Sequence, residues 1–573
     1  MTIADYLIII IYFIGLLVLG GVLSKRIKSS KEMFIAGRNS SWWLSGLSTY
    51  MTLFSAGTFV VWGGVAFRSG MVAVTIGMTL GFASLLVGRY ISGKWSKMGI
   101  DSPAEYISVR FDKPLVKFYT IIGLIGRGVH MAVSLFAVSL LMVSLIPLPA
   151  SNMFCDPATG HLAVSYAVVL LGAITLIYTA AGGFIAVLMT DAVQFAVLIA
   201  LVLILVPLSL ESVGGLGDFI SKAPDGFFSL FSDQYTWKWM VLWFFLNFFI
   251  IGGDWSFVQR YISTPTARDA RKNAYLVGAL YLMTPIIWFI PSMAYRIVVP
   301  GVNPEQSYML MGQHVLGVGS IGLLLAAMIS ATMSTVSGTL NVFANVVTYD
   351  FYRPVRPLSS ERTLMRVGRI FTYFYGGIIT ILAVLIPYLG GAEKVVVWVL
   401  TAIIPPLFIP SLWGLYSRRV GSRSVWWTLG ITYLIAVLVK LDWVPGTFID
   451  AHINLINAFN GFGVPVIILV IVELLNRGGE RDSGWDRLSQ MYSREKDTPD
   501  PRLVEKNKEA SLQYSVMAFK IIMGTFAAIG AIMVLMCFIE SDFHMLLYGI
   551  IFIIIPLVAF SIYYFKTKQN KVA

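Results

Sequence analysis

Residues 41–67 read SWWLSGLSTYMTLFSAGTFVVWGGVAF, an apolar run that small and polar residues interrupt at mid-length. The interrupting residues are Ser48, Thr49, Thr52, Ser55, Gly57 and Thr58. A second run, NFFIIGGDWSFVQRY at 247–261, has a comparable interruption. It comprises Asn247, Gly252, Gly253 and Asp254. Irregular backbone is tolerated at membrane depth only where it lines a cavity, so paired interruptions indicate a transporter binding site. The alternative is that these residues are ordinary helix-packing glycines and serines.

The composition is that of a membrane protein. The 573 residues are 57% hydrophobic and only 13% charged, whereas soluble proteins carry about 25% charged residues. Apolar runs of roughly 20 residues, long enough to cross a bilayer core of about 30 Å, recur along the whole chain. We therefore predict an all-α integral membrane protein with about 15 transmembrane helices. The predicted spans are 3–24, 42–67, 71–91, 117–148, 162–180, 187–210, 237–253, 274–297, 317–348, 367–388, 395–416, 424–441, 455–476, 515–538 and 545–565.

The first run lacks a basic n-region and a small-residue cleavage site, so we predict a retained span and not a signal peptide. Most of the 42 basic residues lie in alternate loops. This positive-inside pattern predicts an outside N-terminus and a cytoplasmic C-terminus, in a plasma membrane of the bacterial inner-membrane type. The net charge of +12 is thus a topology signal, and no nucleic-acid partner is expected. The bilayer is the expected environment, and the sequence leaves the oligomeric state open.

Motif searches narrow the function classes. The chain has no GxxxxGK[ST] motif, so transport is not expected to use a P-loop ATPase of its own. It also lacks HExxH, GxSxG and paired intramembrane aspartates, so we do not predict an enzyme. Cys155 lies in a predicted loop and Cys537 in a predicted span, which suggests no disulfide framework. Transport is therefore predicted to be channel-like or driven by an ion gradient.

Four stretches together resemble the sodium/solute symporter family, which includes sodium–glucose, proline, pantothenate and sialic acid transporters. They are AGRNSSWWLSGLS (36–48), YTAAGGFIAVLMTDAVQ (178–194), DWSFVQRYIS (254–263) and LLLAAMISATMSTVSGTLN (323–341). The resemblance covers about residues 5–475. It implies a leucine-transporter-type core of two inverted five-helix repeats, with broken first and sixth core helices.

This fold implies one transporter domain over 1–573. We expect an extra N-terminal helix and cytoplasmic loop at 1–41, the ten-helix core at 42–416 and two further helices at 417–476. A cytoplasmic linker at 477–513 and two C-terminal helices at 514–573 complete the expected organisation. Breaker-rich sequence marks the linker, and a short amphipathic helix is expected around Trp485 to Met491.

The fourth stretch carries the expected sodium site. Ser330, Ser334, Ser337 and Asn341 fall on a single helix face. Neutral hydroxyls and carbonyls are oxygen ligands that suit a small hard cation such as sodium. The resemblance implies a main sodium site made of the Met51, Phe54 and Ala331 carbonyls and the Ser334 and Thr335 side-chain oxygens. The alternative is that these hydroxyls bond back to carbonyls of their own helix.

Some family members have a second sodium site, which the resemblance places on Asp191, Ser334 and Ser337. Gly338 stands where the fullest version has another serine, and this removes one ligand. Asp191 alternatively caps a helix N-terminus, where a carboxylate is favourable. Transport with one sodium per cycle is therefore the simpler expectation.

Arg127, in YTIIGLIGRGVHMAVSLF, is the main substrate clue because an arginine inside a span is by default a functional-site hypothesis. Its planar fork suits a carboxylate or a phosphate. The stretch resembles sialic acid transporters, in which the arginine of an IGR sequence binds the substrate carboxylate. Ser55 and Thr58 match hydroxyl positions that line that site. The alternatives are that Arg127 snorkels to the interface or bonds backbone carbonyls at a helix break.

Asp254 and Trp255 stand where family members place an inner gate and polar substrate contacts. Trp255 is expected to stack on a sugar ring or to plug the cytoplasmic exit. Asp254 alternatively pairs with Arg260 as an exposed ion pair of little energetic weight. Sugar-binding members carry a carboxylate or carboxamide where this chain has Gly77, which is a departure from their pattern.

The resemblance implies a secondary active symporter that couples sodium influx to uptake of a small polar organic solute by alternating access. The expected substrate is a sugar or an acidic sugar of the sialic acid or uronate type. The alternative is a sodium symporter for an amino acid, a monocarboxylate or a vitamin. Sodium is the expected cofactor, and the expected partners are sodium and the small-molecule substrate.

Overall fold

A computed structural model describes residues 2–25, 27–317, 319–389, 403–440, 447–476, 482–494, 501–540 and 543–572. Nearly all of these residues are helical, apart from a small antiparallel hairpin of β1 (Cys155–Asp156) and β2 (His161–Leu162). The helices are α1 (Ile3–Ser24), α2 (Ser30–Ile35), α3 (Trp42–Leu53), α4 (Thr58–Ser69), α5 (Met71–Tyr90), α6 (Ser92–Lys97), α7 (Pro103–Arg110), α8 (Lys113–Val143), α9 (Val164–Ser212), α10 (Leu216–Ser221), α11 (Trp237–Gly253), α12 (Trp255–Ile262), α13 (Ala267–Val298), α14 (Ser307–Val315), α15 (Ser320–Val355), α16 (Glu361–Leu385), α17 (Pro405–Gly414), α18 (Ser422–Lys440), α19 (Thr447–Leu475), α20 (Ser483–Arg494), α21 (Pro501–Glu540) and α22 (Phe543–Val572). The predicted all-α membrane class is confirmed.

Eleven of these helices are long and apolar enough to cross a membrane, or up to thirteen spans if each of two bent helix pairs counts as one. Helix α9 has 49 residues, which at 1.5 Å per residue is about 73 Å, more than twice a bilayer core. It covers two of the predicted spans and contains a backbone break at Gly183. The predicted span 395–416 lies partly outside the described residues. The number fifteen therefore stays a prediction.

The two sequence interruptions are helix breaks, as predicted. Helices α3 and α4 meet at 64°, and α11 and α12 meet at 50°. Helix α3 ends because Phe54 is extended, with φ −89° and ψ 136°. Helix α12 begins after Asp254, which is also extended and whose Oδ1 accepts a hydrogen bond from the Ser256 amide at 2.8 Å. Each break leaves backbone groups without helical partners, so that side chains can bond them.

Helix α15 is the centre of the bundle, since 94% of its membrane-spanning window is buried inside the protein. It packs on α1, α3, α8, α9 and α16. A helix with apolar residues on all sides is expected in such a position. The hydroxyl-rich stretch of α15 is therefore surrounded by protein and not by lipid.

Helices α5 and α13 touch along a row of glycines. A Cβ added at Gly278 would lie 2.6 Å from Leu85 Cδ2, and one at Gly81 would lie 3.0 Å from the Gly278 carbonyl oxygen. A Cβ at Gly77 would lie 2.8 Å from the Pro285 ring. The absence of a carboxylate or carboxamide at Gly77 thus has a packing reason, because any side chain there would meet α13.

The backbone break in α9 leads to a prediction about the stability of the protein. Gly183 has φ 53° and ψ −156°, and an added Cβ would lie 2.5 Å from the Met33 carbonyl oxygen. We expect Gly183→Ala to lower the free energy of unfolding by about 1 to 3 kcal/mol, because alanine is strained in this backbone region. The measurement is the melting temperature of the purified protein. Gly377→Ala is the control, since nothing lies within 4 Å of a Cβ there, and equal melting temperatures of the two variants would refute the prediction.

The expected amphipathic linker helix is confirmed as α20, which docks on the end of α7. Arg110 is fully buried and donates to the carbonyls of Gly414 (3.0 Å) and Val420 (2.7 Å) and to Asp482 Oδ2 (2.5 Å). Arg487 of α20 donates to two carbonyls beside Arg110. The flanking linker residues 477–481 and 495–500 lie outside the described residues, and the predicted domain division stays a prediction.

Candidate functional site

Thr335 of α15 faces the break between α3 and α4. Its Oγ1 lies 2.6 Å from the Phe54 carbonyl oxygen, 3.3 Å from that of Ala331 and 3.4 Å from that of Thr52. Two expected members of the main sodium site, the Phe54 and Ala331 carbonyls, thus lie around the hydroxyl of a third, Thr335. Met51 is one turn back, and its carbonyl accepts from the Phe54 amide at 3.1 Å. A cluster of neutral oxygens is the donor set that a hard cation prefers.

A residue of α15 that was not predicted to belong to the site also bonds the backbone at this break. The amide of Ala56, which has no helical partner at the break, donates to Thr332 Oγ1 at 3.0 Å. Thr332 is fully buried on α15. The hydroxyls of Thr332 and Thr335, about one turn apart on α15, therefore bond backbone groups that the break leaves without helical partners. Nothing in the sequence around Thr332 indicated that its hydroxyl would bond the backbone of another helix.

Ser334 faces away from the break, toward α9. Its Oγ donates to Asp191 Oδ1 at 2.6 Å. Ser337 does not reach Asp191 with a hydrogen bond, because its Oγ donates to the Ser334 carbonyl at 3.2 Å. Ser334 thus sits with the expected second sodium site and is not among the oxygens that surround Thr335. Its assignment to the main site stays a prediction.

The Asp191 carboxylate already has a cationic partner. Arg260 Nη2 lies 3.4 Å from Asp191 Oδ2, and both side chains are fully buried. Ser48 Oγ also donates to Asp191 Oδ2 and accepts from Arg260 Nε at 2.7 Å. A Cβ added at Gly338 would lie 2.8 Å from Arg260 Nη2, so the guanidinium fills the space beside this glycine. The expected second sodium site therefore contains a resident positive charge of the protein itself.

Arg127 forms an ion pair with Asp254, so the alternative that Asp254 pairs with Arg260 is wrong. The two side chains are only 13% and 3% exposed. The expectation of a snorkelling Arg127 is therefore wrong, and so is that of an exposed Asp254. The pair joins α8 to the break between α11 and α12. Because both charges are buried, each depends on the other for compensation.

The ion pair faces a narrow pocket of about 20 Å³, which in this conformation has room for about one water molecule. Trp255, Tyr119 and Phe343 contribute aromatic surface to its lining. The Trp255 and Phe343 ring centroids are 6.0 Å apart. The cavity thus combines aromatic faces with one cationic and one anionic group. Tyr119 and Phe343 were not among the predicted site residues, because isolated aromatics in apolar spans carry no distinguishing pattern.

Ser55 and Thr58 lie together at the start of α4. The Ser55 amide donates to Thr58 Oγ1 at 3.4 Å, and Ser55 Oγ accepts from the Gly57 amide at 3.2 Å. Both residues are partly exposed. Neither belongs to the lining of the Arg127 cavity. Their expected contact with the substrate stays a prediction. Their hydroxyl oxygens accept from backbone amides at the start of α4.

The chain is similar to known proteins over most of its length. The model of the Sodium:solute symporter family matches residues 33–431. The sodium/glucose cotransporter 2 of Rattus norvegicus is 26% identical over 488 residues, covering 74% of this chain and 70% of the relative. The sodium/sialic acid symporter NanT of Aliivibrio fischeri is 25% identical over 463 residues, covering 76% of this chain and 87% of the relative.

A solved structure of a sodium-coupled sialic acid symporter in a substrate-bound outward-open state has a similar fold. Its TM-score is 0.67 at 21% sequence identity, and the match covers 82% of this chain and 98% of that one. The likeness includes the helical membrane core. Because the family model matches well over half of the sequence, the chain belongs to the sodium:solute symporter family.

Proposed function

We propose that the protein couples sodium influx to the uptake of a sugar or an acidic sugar by alternating access. The observation that carries this proposal is the buried Arg127–Asp254 pair in a cavity with the Trp255 ring, at the break of α11 and α12. A guanidinium donates to sugar hydroxyls, a carboxylate accepts from them, and an aromatic face covers the ring. The sugar and sialic acid symporters among the relatives support the same substrate class.

Sodium is the coupling ion of this family, and we place it beside Thr335. The Thr335 hydroxyl and the Phe54 and Ala331 carbonyls would hold it, with Met51 and Ser334 as further candidates. An ion there would connect the broken α3–α4 pair to α15. Such a contact drives transport only if sodium binds one conformation better than the other, since a ligand indifferent to state shifts nothing.

The ion pair favours a neutral sugar over an acid. A neutral polyhydroxyl ligand can bond both charged groups without separating them. A carboxylate that takes Arg127 displaces Asp254 and leaves its charge buried and unpaired, which is costly. An acidic sugar remains the second candidate, supported by the suitability of the arginine fork for carboxylates. Monocarboxylates would meet the same obstacle as acidic sugars, whereas an amino acid would bring an ammonium group that can pair with Asp254.

Thermal stability in sodium and in potassium, with a panel of neutral and acidic sugars, tests this proposal. A ligand of the folded state raises stability by about 2.7 kcal/mol at a hundredfold excess over Kd. We expect a sodium-specific rise in melting temperature that increases further with a neutral sugar. A larger response to acidic sugars would select the second candidate. A sodium response without any sugar response would refute the substrate class, and equal melting in both salts would refute the sodium site.

We further infer that one sodium ion moves per cycle, because Arg260 supplies the charge beside Asp191. The double variant Asp191→Asn with Arg260→Met removes both buried charges together, which avoids leaving one unpaired. We expect it to keep the sodium-specific rise in melting temperature. The wild-type sodium titration should be hyperbolic, with a Hill coefficient near one. A sigmoidal titration that becomes hyperbolic in the double variant would demonstrate a second sodium ion bound at Asp191.

The inferred setting is a plasma membrane of the bacterial type, with the N-terminus outside and the C-terminus in the cytoplasm. The distribution of basic residues supports this orientation. It puts α20 and the end of α7 on the cytoplasmic side. The test is to introduce a cysteine at each terminus and to treat intact cells with a membrane-impermeant labelling reagent. Labelling of the C-terminal cysteine but not of the N-terminal one would reverse the assignment.

A further inference from the structure

Helix α1 lies outside the predicted ten-helix core, yet its backbone touches the start of α15. A Cβ added at Gly322 would lie 2.5 Å from the Asp5 carbonyl oxygen and 2.7 Å from Asp5 Cα. Only glycine permits this approach. Contact at backbone distance fixes the separation of two helices closely, because no flexible side chain lies between them.

The Asp5 side chain completes the N-terminus of α15. Its carboxylate is fully buried, and Oδ1 accepts from the Gly322 amide at 2.8 Å. Oδ2 accepts from the Thr2 amide at 2.7 Å and from Thr2 Oγ1 at 2.9 Å. The residue before α15, Gly319, supplies no side-chain cap. A carboxylate from a different helix thus satisfies an otherwise unpaired amide and stabilises the positive end of α15.

Tyr12 makes the second attachment, two turns further along α1. Its hydroxyl accepts from Ser330 Oγ at 2.8 Å and from Gln194 Nε2 at 3.5 Å. Ser330 is one turn before Ser334 on α15, and Gln194 is three residues after Asp191 on α9. Tyr12 therefore bridges the two helices just beside the contact between Ser334 and Asp191.

We propose that Asp5 and Tyr12 are positioning residues for sodium binding, holding α15 at the height and rotation that aim Thr335 at the α3–α4 break. This inference rests on the sodium site proposed above. Asp5 sets the position of α15 along its axis, because it bonds the first turn. Tyr12 sets its rotation, because it bonds a side chain on the face that α15 turns toward α1 and α9. Neither residue touches the ion.

Tyr12→Phe removes one hydroxyl and keeps the ring. The measurement is the melting temperature of the purified full-length protein as sodium chloride replaces potassium chloride at constant ionic strength. We expect the half-saturating sodium concentration to rise about threefold to tenfold, in keeping with the loss of one buried hydrogen bond. Tyr6→Phe is the matched control on the same helix, because Tyr6 is partly exposed, and we expect it to leave the sodium midpoint unchanged.

A purely structural function would lower the melting temperature in potassium and leave the sodium midpoint unchanged, and that result would overturn the proposal. Asp5→Asn keeps an acceptor oxygen and removes the charge, so it should raise the sodium midpoint as well. Should Tyr12→Phe prove too unstable to purify, Ser330→Ala removes the same hydrogen bond from the other side. In a double-mutant cycle, the effects of Tyr12→Phe and Ser330→Ala on the sodium midpoint should not add.

Different experimental results would refute the positioning inference and the sodium site on which it rests. If the wild type showed no sodium-specific shift, or if loss of the Thr335 hydroxyl left that shift intact, the proposed site would be wrong. If loss of the Thr335 hydroxyl abolished the shift while Tyr12→Phe and Asp5→Asn kept the wild-type midpoint, only the positioning inference would fall.

Discussion

Thr335→Val is expected to abolish the sodium-specific rise in melting temperature. Valine has nearly the shape of threonine but lacks the hydroxyl oxygen that lies 2.6 Å from the Phe54 carbonyl oxygen. Without it, the only side-chain oxygen left among the candidate ligands is that of Ser334, which donates to Asp191. At a sodium concentration of a hundred times Kd, the lost stabilisation amounts to about 2.7 kcal/mol. The measurement is the difference in melting temperature between sodium and potassium salts.

Thr339→Val is the control for this prediction. Thr339 is also buried on α15, one turn further on, and its Oγ1 donates at 2.9 Å to the carbonyl of Thr335 in its own helix. We expect this variant to keep the full sodium response. Ser334→Ala should have a smaller effect than Thr335→Val, since Ser334 donates to Asp191. A wild-type sodium response in Thr335→Val would disprove the assignment of the main site.

Arg127→Met should be the most destabilising substitution at the substrate cavity. It leaves the Asp254 carboxylate buried without its counter-charge, which costs about 3 to 5 kcal/mol. Adding Asp254→Asn to this variant removes the remaining charge, and we expect the double variant to recover most of the lost stability. Melting temperatures of the wild type, Arg127→Met, Asp254→Asn and the double variant, all in potassium salt, give the coupling between the two residues. Recovery of folding should not restore binding of the sugar to which the wild type responds.

Two results would contradict this interpretation of the pair. Additive losses of stability in the double variant would mean that Arg127 and Asp254 do not compensate each other. A sugar response that survives in the double variant would place substrate recognition elsewhere, with Ser55 and Thr58 as the next candidates. Arg127→Lys is a milder test, because lysine keeps the charge and loses the fork, and an unchanged sugar affinity would assign Arg127 a structural function.

The two helix breaks could be predicted because their cause is local. Glycines and small polar residues in the middle of an apolar run weaken a membrane helix whatever surrounds it. The family resemblance is confirmed for the same reason, since its motifs are continuous in sequence. The arrangement around Thr335 was predicted only through that resemblance, because the contact joins residues 281 positions apart.

The ion pairs could not be predicted from sequence proximity. Asp254 is the extended residue before α12, whereas Arg260 lies inside that helix, so closeness in sequence does not bring their side chains together. Asp254 therefore meets Arg127 of α8, and Arg260 meets Asp191 of α9. Both partners are distant in sequence, and four buried charges can be paired in more than one way. Gly338 gave a partial indication, because the absence of a side chain there predicts free space. It does not predict that the Arg260 guanidinium fills this space.

The glycine contact between α5 and α13 limits how the transporter can move. Surfaces that leave no room for a methyl group also leave no room for sliding, because a shift of one residue, about 1.5 Å, would drive side chains into the opposite backbone. We therefore expect the two helices to tilt together as one unit when the protein changes conformation. Larger residues at Gly81 or Gly278 would separate the helices and should weaken this coupling.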